Sequence, residues 1–261
     1  VRTELVSEPS GPGLPNEDFA SVGLPASGQG GVLVVLDGVT PPRGASGCRH
    51  SVPWFTARLG GALTELTVSL PDVPLADALS RAIAATADAH AVTCDLSHPR
   101  TPQATVVLAR WSPKAVEYLV LSDSALLLEA PDGTVTARLD DRLARLPRGA
   151  LASEARVDAE LRNREGGFFT AAADPGVAAR AVTGVLPRGE VRALAALTDG
   201  AARWVERFGE GDWTDCLRAV RKQGARWLVD RVRELERADT DRRFLGRSKT
   251  HDDATVVYAE L

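Results

Sequence analysis

The sequence predicts an α+β layered fold with antiparallel sheets. Strand-like apolar runs arrive in hairpin-sized groups, pairs of amphipathic helices separate those groups, and strands do not alternate singly with helices as a doubly wound parallel sheet requires. No Pro/Gly/Ser linker divides the chain and no repeat of fixed period is visible. Related acidic motifs also stand near both ends, so residues 1–261 are expected to form a single domain.

Residues 1–15 hold three prolines and two glycines and read as an irregular N-terminal arm. FASVGLP and GGVLVVLDG then read as two strands joined by ASGQGG, and TPPRGASG stops the second. From Cys48 to Leu66 the residues Val52, Phe55, Leu59, Leu63 and Leu66 recur at helical spacing, and Leu75 to Val92 forms an alanine-rich helix. ATVVLARW, AVEYLVLSDS and ALLLEAPDGTVTARL look like a meander, with Pro131-Asp132-Gly133 as its last turn. Arg138 to Arg164 reads as a charged helical stretch, GGFFTAAADP as strand or loop, and Val177 to Thr183 as a helix. LAALTDGAARWVERFG is strand, carboxylate turn and helix. Trp213 to Glu236 reads as one long amphipathic helix, and DDATVVYAEL closes the chain as a strand after a polar linker.

Composition narrows the function classes. The chain is 44% hydrophobic and 25% charged, as in ordinary globular domains, and a net charge of -4 leaves no broad basic footprint for nucleic acid or an anionic membrane. The arginine-rich segment from Arg218 to Arg247 is interleaved with acids and reads as a solvated helix face. No apolar stretch reaches membrane-spanning length and the N-terminus lacks a signal-peptide core, so a cytoplasmic location is expected. Cys48, Cys94 and Cys216 are far apart without CxxC spacing, which indicates neither a disulfide framework nor a zinc cluster. His50, His90, His98 and His251 are likewise too dispersed for a zinc motif; only His251, beside Asp252, is a candidate proton donor.

The chemistry concentrates in five acidic elements: Asn16-Glu17-Asp18, Asp37-Gly38, Asp123-Ser124, Thr198-Asp199-Gly200 and His251-Asp252-Asp253. Four of them abut apolar runs. A carboxylate at the mouth of a buried strand is costly unless something positive meets it. Several such groups from distant parts of one chain point to a shared divalent cation site. GxSxG, P-loop and cysteine-nucleophile signatures are all missing from the sequence.

In order and spacing, NED, DG after VLVVL, SDS after LVL, TDG after LAAL and DDAT before VVY resemble the type 2C metal-dependent serine/threonine protein phosphatases, over essentially the whole chain. The resemblance implies a four-layer sandwich of two antiparallel sheets flanked by helices, with two Mg2+ or Mn2+ ions, and in bacterial members a third. Asp37 would bridge both metals and the Gly38 carbonyl would face the second. Asp199 and Asp252 would hold the first metal, Glu17 the second, Asp18 a metal-held water, and Asp123 the third, weaker ion. Two cations about 3.5–4 Å apart can acidify water and neutralise phosphoryl oxygens without a covalent intermediate.

Departures from the family pattern strip the phosphate-contacting periphery. Gly13 stands where members carry an arginine, and Asp37-Gly38 continues into Val39-Thr40-Pro41-Pro42 instead of DGxGG. Ser122-Asp123-Ser124-Ala125 replaces GDSR, and Asp252-Asp253 replaces an Asp-Asn pair. Arg43 and Arg49 are the nearby candidates for a replacement phosphate contact. The reading is therefore a Mg2+- or Mn2+-dependent phosphomonoester hydrolase acting on a phosphorylated protein. A phosphatase-like binding or regulatory module and a phosphatase of small phosphorylated metabolites stand as the alternatives.

Overall fold

The computed structural model describes residues 1–41, 44, 46–147, 149–246 and 249–261. Its strands are β1 (Arg2–Glu8), β2 (Phe19–Gly23), β3 (Gly31–Leu36), β4 (Val106–Trp111), β5 (Ala115–Leu121), β6 (Ala125–Glu129), β7 (Val135–Arg138), β8 (Val182–Pro187), β9 (Ala193–Leu197) and β10 (Ala254–Glu260). Among the described residues they form two five-stranded antiparallel sheets, ordered β1-β10-β9-β6-β7 and β2-β3-β4-β5-β8. The helices are α1 (Val52–Ser69), α2 (Leu75–Asp88), the single turn α3 (Glu154–Arg156), α4 (Asp199–Glu206), α5 (Trp213–Gln223) and α6 (Ala225–Ala238).

The layers follow from which face each apolar side chain takes. Leu33, Val35, Val107 and Val120 of one sheet meet Leu126, Leu194, Ala196 and Val257 of the other, forming the core between the sheets. Their neighbours Val34, Leu36, Leu108 and Leu119 point the opposite way, onto Phe55, Leu59, Leu63, Leu79 and Ile83 of α1 and α2. On the far side Leu127, Ala195, Val256 and Tyr258 pack against Trp204, Leu217, Leu228 and Val232 of α4, α5 and α6. Each central strand is covered on both faces, so GVLVVL and ALAAL read as unbroken apolar runs and not as alternating ones.

Several elements differ from the sequence expectation. The N-terminal segment is not an irregular arm. Arg2–Glu8 pairs along its whole length with Glu260–Ala254, so the chain ends lie side by side, and only the Pro/Gly-rich stretch after it is irregular. The expected meander does not stay in one sheet: β4 and β5 pair in the second sheet, but after Ser122–Ser124 the chain crosses to β6 in the first. The long C-terminal helix breaks at Gly224, whose φ of 96° is a left-handed value that glycine adopts freely. Arg138–Arg164 is mostly turns and short helical pieces, because Pro147 and Gly149 (φ 80°) interrupt the periodicity. Val182–Thr183, expected to end a helix, opens strand β8 beside β5.

The α1–α2 pair also overturns the expectation that the cysteines and histidines are dispersed. The two antiparallel helices return the chain so that Cys48 and His50, before α1, meet His90 and Cys94, after α2; these ligand atoms all lie within 4.8 Å of one another. Separation in sequence hides this proximity, since the helical hairpin closes it.

Helix α1 approaches β2 through a glycine. A Cβ on Gly60 would fall 2.1 Å from Cδ1 of Phe19, the residue that opens β2 immediately after Asp18. We expect Gly60→Val to lower stability by about 1–3 kcal/mol through overpacking, read as a fall in the urea midpoint at unchanged slope; an unchanged midpoint would mean that the helix yields freely at this contact.

Candidate functional site

Antiparallel register gathers the acidic elements. Phe19 pairs with Leu36, Val106 with Leu121, and Leu197 with both Ala125 and Val256. The ends of β3, β5 and β9 and the beginnings of β2 and β10 therefore share one edge of the sandwich. Glu17-Asp18, Asp37, Asp123, Asp199 and Asp252-Asp253 all extend from that edge.

Asp37 is tied at its backbone, where its N–H donates to Thr105 Oγ1 at 3.2 Å and its carbonyl accepts from Thr105 N at 2.9 Å. Its carboxylate Oδ2 accepts from the backbone N–H of Asp199, 3.3 Å away. Asp18 Oδ2 accepts from the hydroxyls of Thr255 (2.6 Å) and Thr198 (3.0 Å), but its Oδ1 is buried without a hydrogen-bond partner. Glu17 accepts from Thr40 Oγ1. Asp123 follows Ser122, which holds a φ of 70° while its N–H donates to Asp140 Oδ2 at 2.9 Å. Arg142 grips both oxygens of Asp140 at 2.7 Å and fixes this turn from behind. Gly38 lies against Glu17: a Cβ there would stand 2.5 Å from the Glu17 carbonyl oxygen. Gly200 is equally constrained, 2.0 Å from the Asp253 carbonyl oxygen by the same construction.

Burial, reinforced by mutual repulsion, pushes the carboxyls up. Asp37 lies well above the usual carboxylate range, first through burial and then through Asp199, Asp18, Asp123 and Asp252. Asp18 rises to about 8 and Asp199 to about 6, with burial the main cause for each. Asp123 and Glu17 rise for the same reason. A buried cluster of mutually repelling carboxyls, with an orphaned oxygen on Asp18, has the hard donor set that Mg2+ or Mn2+ prefers. Their donor chemistry suits such ions, although among the described residues these acids do not converge into a metal-sized group as Cys48, His50, His90 and Cys94 do.

Several further groups complete the site. Asp253, the residue in place of the family's asparagine, accepts the backbone N–H groups of Ser10 and Glu17, both at 2.6 Å, and so anchors the segment that carries Glu17 and Asp18. Arg203, 5% exposed, donates to Asp252 Oδ2 at 3.0 Å and to Glu236 Oε1 at 2.6 Å. Lys249 reaches Asp252 Oδ1 at 3.0 Å and Thr40 Oγ1 at 2.7 Å, which links the Glu17 and Asp252 sides. Glu206, at the other end of α4 from Asp199, is pushed up to about 7 by burial and by Asp123 and Asp199. Asp253 belongs to an acidic element read from the sequence, and helical spacing from Thr198-Asp199-Gly200 could have flagged Glu206; nothing local marks Arg203 or Lys249.

The peripheral candidates fare differently. His251 Nδ1 lies 2.7 Å from Glu236 Oε2, within the network behind Asp252. Arg49 is exposed, and Arg43 lies outside the described residues. Gly13 has a φ of 75° with open space around it, so an arginine there would be strained by its backbone and not by a clash. Beside Asp123 lies a cleft of about 300 Å3 lined by Val39, Leu143, Val157, Phe168 and Arg162. Arg162 stacks over Phe168 at 5.2 Å, and burial lowers its pKa.

Two antiparallel five-stranded sheets packed face to face, with helices on both outer faces and carboxylates gathered at one edge, define the architecture. The sequence profile described as protein phosphatase 2C matches residues 10–233, and the chain belongs to that family of phosphatases. Among solved structures it is similar to the serine/threonine phosphatase Stp1 of Staphylococcus aureus, with a TM-score of 0.60 and 12% identity over 99% of this chain and 94% of that one. It is similar also to the serine/threonine phosphatase PstP/Ppp of Mycobacterium tuberculosis (0.61, 17%, 100% and 98%) and to a serine-threonine phosphatase 2C of Toxoplasma gondii (0.59, 14%, 98% and 93%). The family is metal-dependent in general. Among curated proteins no match was found. Among the described residues no helix is long and apolar enough to cross a membrane.

The raised carboxyls set a pH dependence for the metal-free protein. Asp18 and Asp199 bind protons more tightly folded than unfolded, so their contribution is complete below about pH 4 and is lost as pH rises through about 6 and 8. Metal-free protein should therefore melt at a higher temperature at pH 5.5 than at pH 8.5, with Mn2+ restoring the difference at pH 8.5. Equal melting temperatures in EDTA at the two pH values would show that the cluster carries no such strain.

Proposed function

We propose that the chain is a Mg2+- or Mn2+-dependent phosphomonoester hydrolase whose substrates are phosphoserine or phosphothreonine proteins. The observation that carries this reading is the buried cluster of Asp18, Asp37, Asp123 and Asp199, whose acids are raised and whose Asp18 Oδ1 has no partner. In this reading Asp37, Asp199 and Asp252 hold the first ion, and Asp37, Glu17 and the Gly38 carbonyl the second. Asp123 with Asp199 holds a weaker third. Bound there, the ions supply Lewis-acid stabilisation of phosphoryl oxygens and a water acidified for attack.

The protein's own part is positioning. Thr198 and Thr255 hold one oxygen of Asp18 and leave the other, buried and unpartnered, to accept a proton from water when Asp18 is ionised. Arg203 holds Asp252 from behind, and Asp253 fixes the backbone of Glu17. His251, bound to Glu236, acts in this scheme through the Arg203–Asp252 network, with its other ring nitrogen as the candidate proton donor. The apolar cleft beside Asp123 favours a protein substrate over a small metabolite, because it offers room for side chains flanking a phosphorylated residue. Arg162 and Arg49 are the candidate phosphate or acidic-peptide contacts that compensate for Gly13.

Hydrolysis of para-nitrophenyl phosphate and of a phosphothreonine peptide should require Mn2+ or Mg2+, and Asp37→Asn should reduce both to background while the fold persists. Full activity of that variant, or activity in EDTA, would sink the catalytic assignment. Arg162→Ala should raise the KM for the phosphopeptide about 10- to 100-fold, the value of a charge-assisted contact, with little change in turnover of para-nitrophenyl phosphate. An unmoved KM would place the grip elsewhere, and a further rise in Arg49→Ala would locate it at Arg49.

A further inference from the structure

Away from the acidic edge, the loop before α1 and the turn after α2 bring together two thiols and two imidazoles. Cys48 Sγ lies 3.4 Å from His90 Nδ1 and 3.7 Å from His50 Nδ1, and Cys94 Sγ lies 3.4 Å from His50 Nδ1. The two sulfurs are 3.0 Å apart. His90 is 3% exposed and its Nε2 has no hydrogen-bond partner. Trp54 closes one side, with its ring 4.0 Å from His50 and 5.2 Å from His90. Backbone N–H groups reach the sulfurs, that of His50 at 3.4 Å from Cys48 and that of Arg49 toward Cys94.

We infer that Cys48, His50, His90 and Cys94 form a structural zinc site that ties the loop before α1 to the C-terminal end of α2. A tetrahedral site with Zn–S of about 2.3 Å and Zn–N of about 2.0–2.1 Å has ligand-to-ligand edges of roughly 3.3–3.8 Å. The three sulfur–nitrogen separations fall in that range. The sulfur–sulfur edge, 3.0 Å against about 3.8 Å for two thiolates on one zinc, must open by roughly 0.7 Å, yet it is far beyond the S–S bond of about 2.05 Å. A disulfide would use both sulfurs but would leave two imidazoles facing it with no role. Mixed thiolate and imidazole donors select zinc, whereas the carboxylates of the other cluster select Mg2+ or Mn2+. On binding, each thiol gives up its proton to solvent and ligates as thiolate.

The consequence is mechanical. Asp95 N already donates to the Gly47 carbonyl at 2.7 Å, and a Cβ on Gly47 would stand 2.5 Å from His98 Cβ, so the two loops are in contact. Ser51, next to His50, caps α1, and Val52 then packs on Gly38 of the acidic cluster. A zinc ion here would fix residues 48–51, which lead into α1, with Arg49 held between two ligands.

Elemental analysis of protein purified and exhaustively dialysed should find one zinc per chain. Asp37→Asn should retain it, and Cys48→Ser/Cys94→Ser should lose it with an unchanged far-UV spectrum. Should the double variant fail to fold, wild-type protein answers alone: Co2+ substitution should give tetrahedral ligand-field bands with a sulfur-to-cobalt charge-transfer band, and two thiols should become reactive only after chelation. Zinc-free wild-type protein, zinc retained in full by the double variant, a Cys48–Cys94 disulfide in the unreduced mass, or thiols equally reactive with and without chelator would each overturn the assignment.

Discussion

The structure is organised around the burial of like charges. Strand ends that are apolar on both faces deliver their terminal carboxylates to one edge, where water is largely excluded. Without cations those groups either hold protons or repel one another, and both conditions oppose folding at neutral pH. The architecture tolerates this because the three apolar layers are set by residues such as Leu33, Phe55, Leu119 and Tyr258, all remote from the cluster and fully or almost fully buried.

A second tier of polar contacts decides where each carboxylate points. Arg203 and Glu236 form a buried pair that continues to Asp252 on one side and to Arg233 and His251 on the other. Such a pair adds little net stability over an apolar equivalent, but removing one member leaves a buried charge uncompensated. Its value here is orientation. Asp253 illustrates the same principle: one extra carboxylate, which repels Glu17 and Asp18, is placed where it meets two backbone N–H groups and so also anchors the Glu17 segment.

Much of the fold was legible because periodicity survives in the sequence. The α1 and α2 stripes, the hairpin of β2 and β3, and the carboxylates beside the apolar runs were visible without coordinates. What failed, failed for identifiable reasons. Strand β1 hides behind an N-terminal run of mixed polarity, since it is an edge strand that buries only partly. Gly224 breaks a stripe that continues in register on both sides, and β8 alternates between half-buried and exposed positions, so neither leaves a strong apolar signature. Lys249, Arg203 and Arg162 are ordinary charged residues in sequence; only their neighbours single them out.

The sequence alone determined the layered antiparallel class and which acids stand at strand ends, because strand burial and the cost of terminal carboxylates are local properties written in short runs of residues. Tertiary structure decided everything that depends on chain return. The crossing from β5 to β6 places Asp123 at the shared edge, and Arg203 is drawn from a helix face onto Asp252. The α1–α2 hairpin closes the gap between Cys48-His50 and His90-Cys94. Those juxtapositions rest on packing between elements far apart in the chain, and no local spacing encodes them.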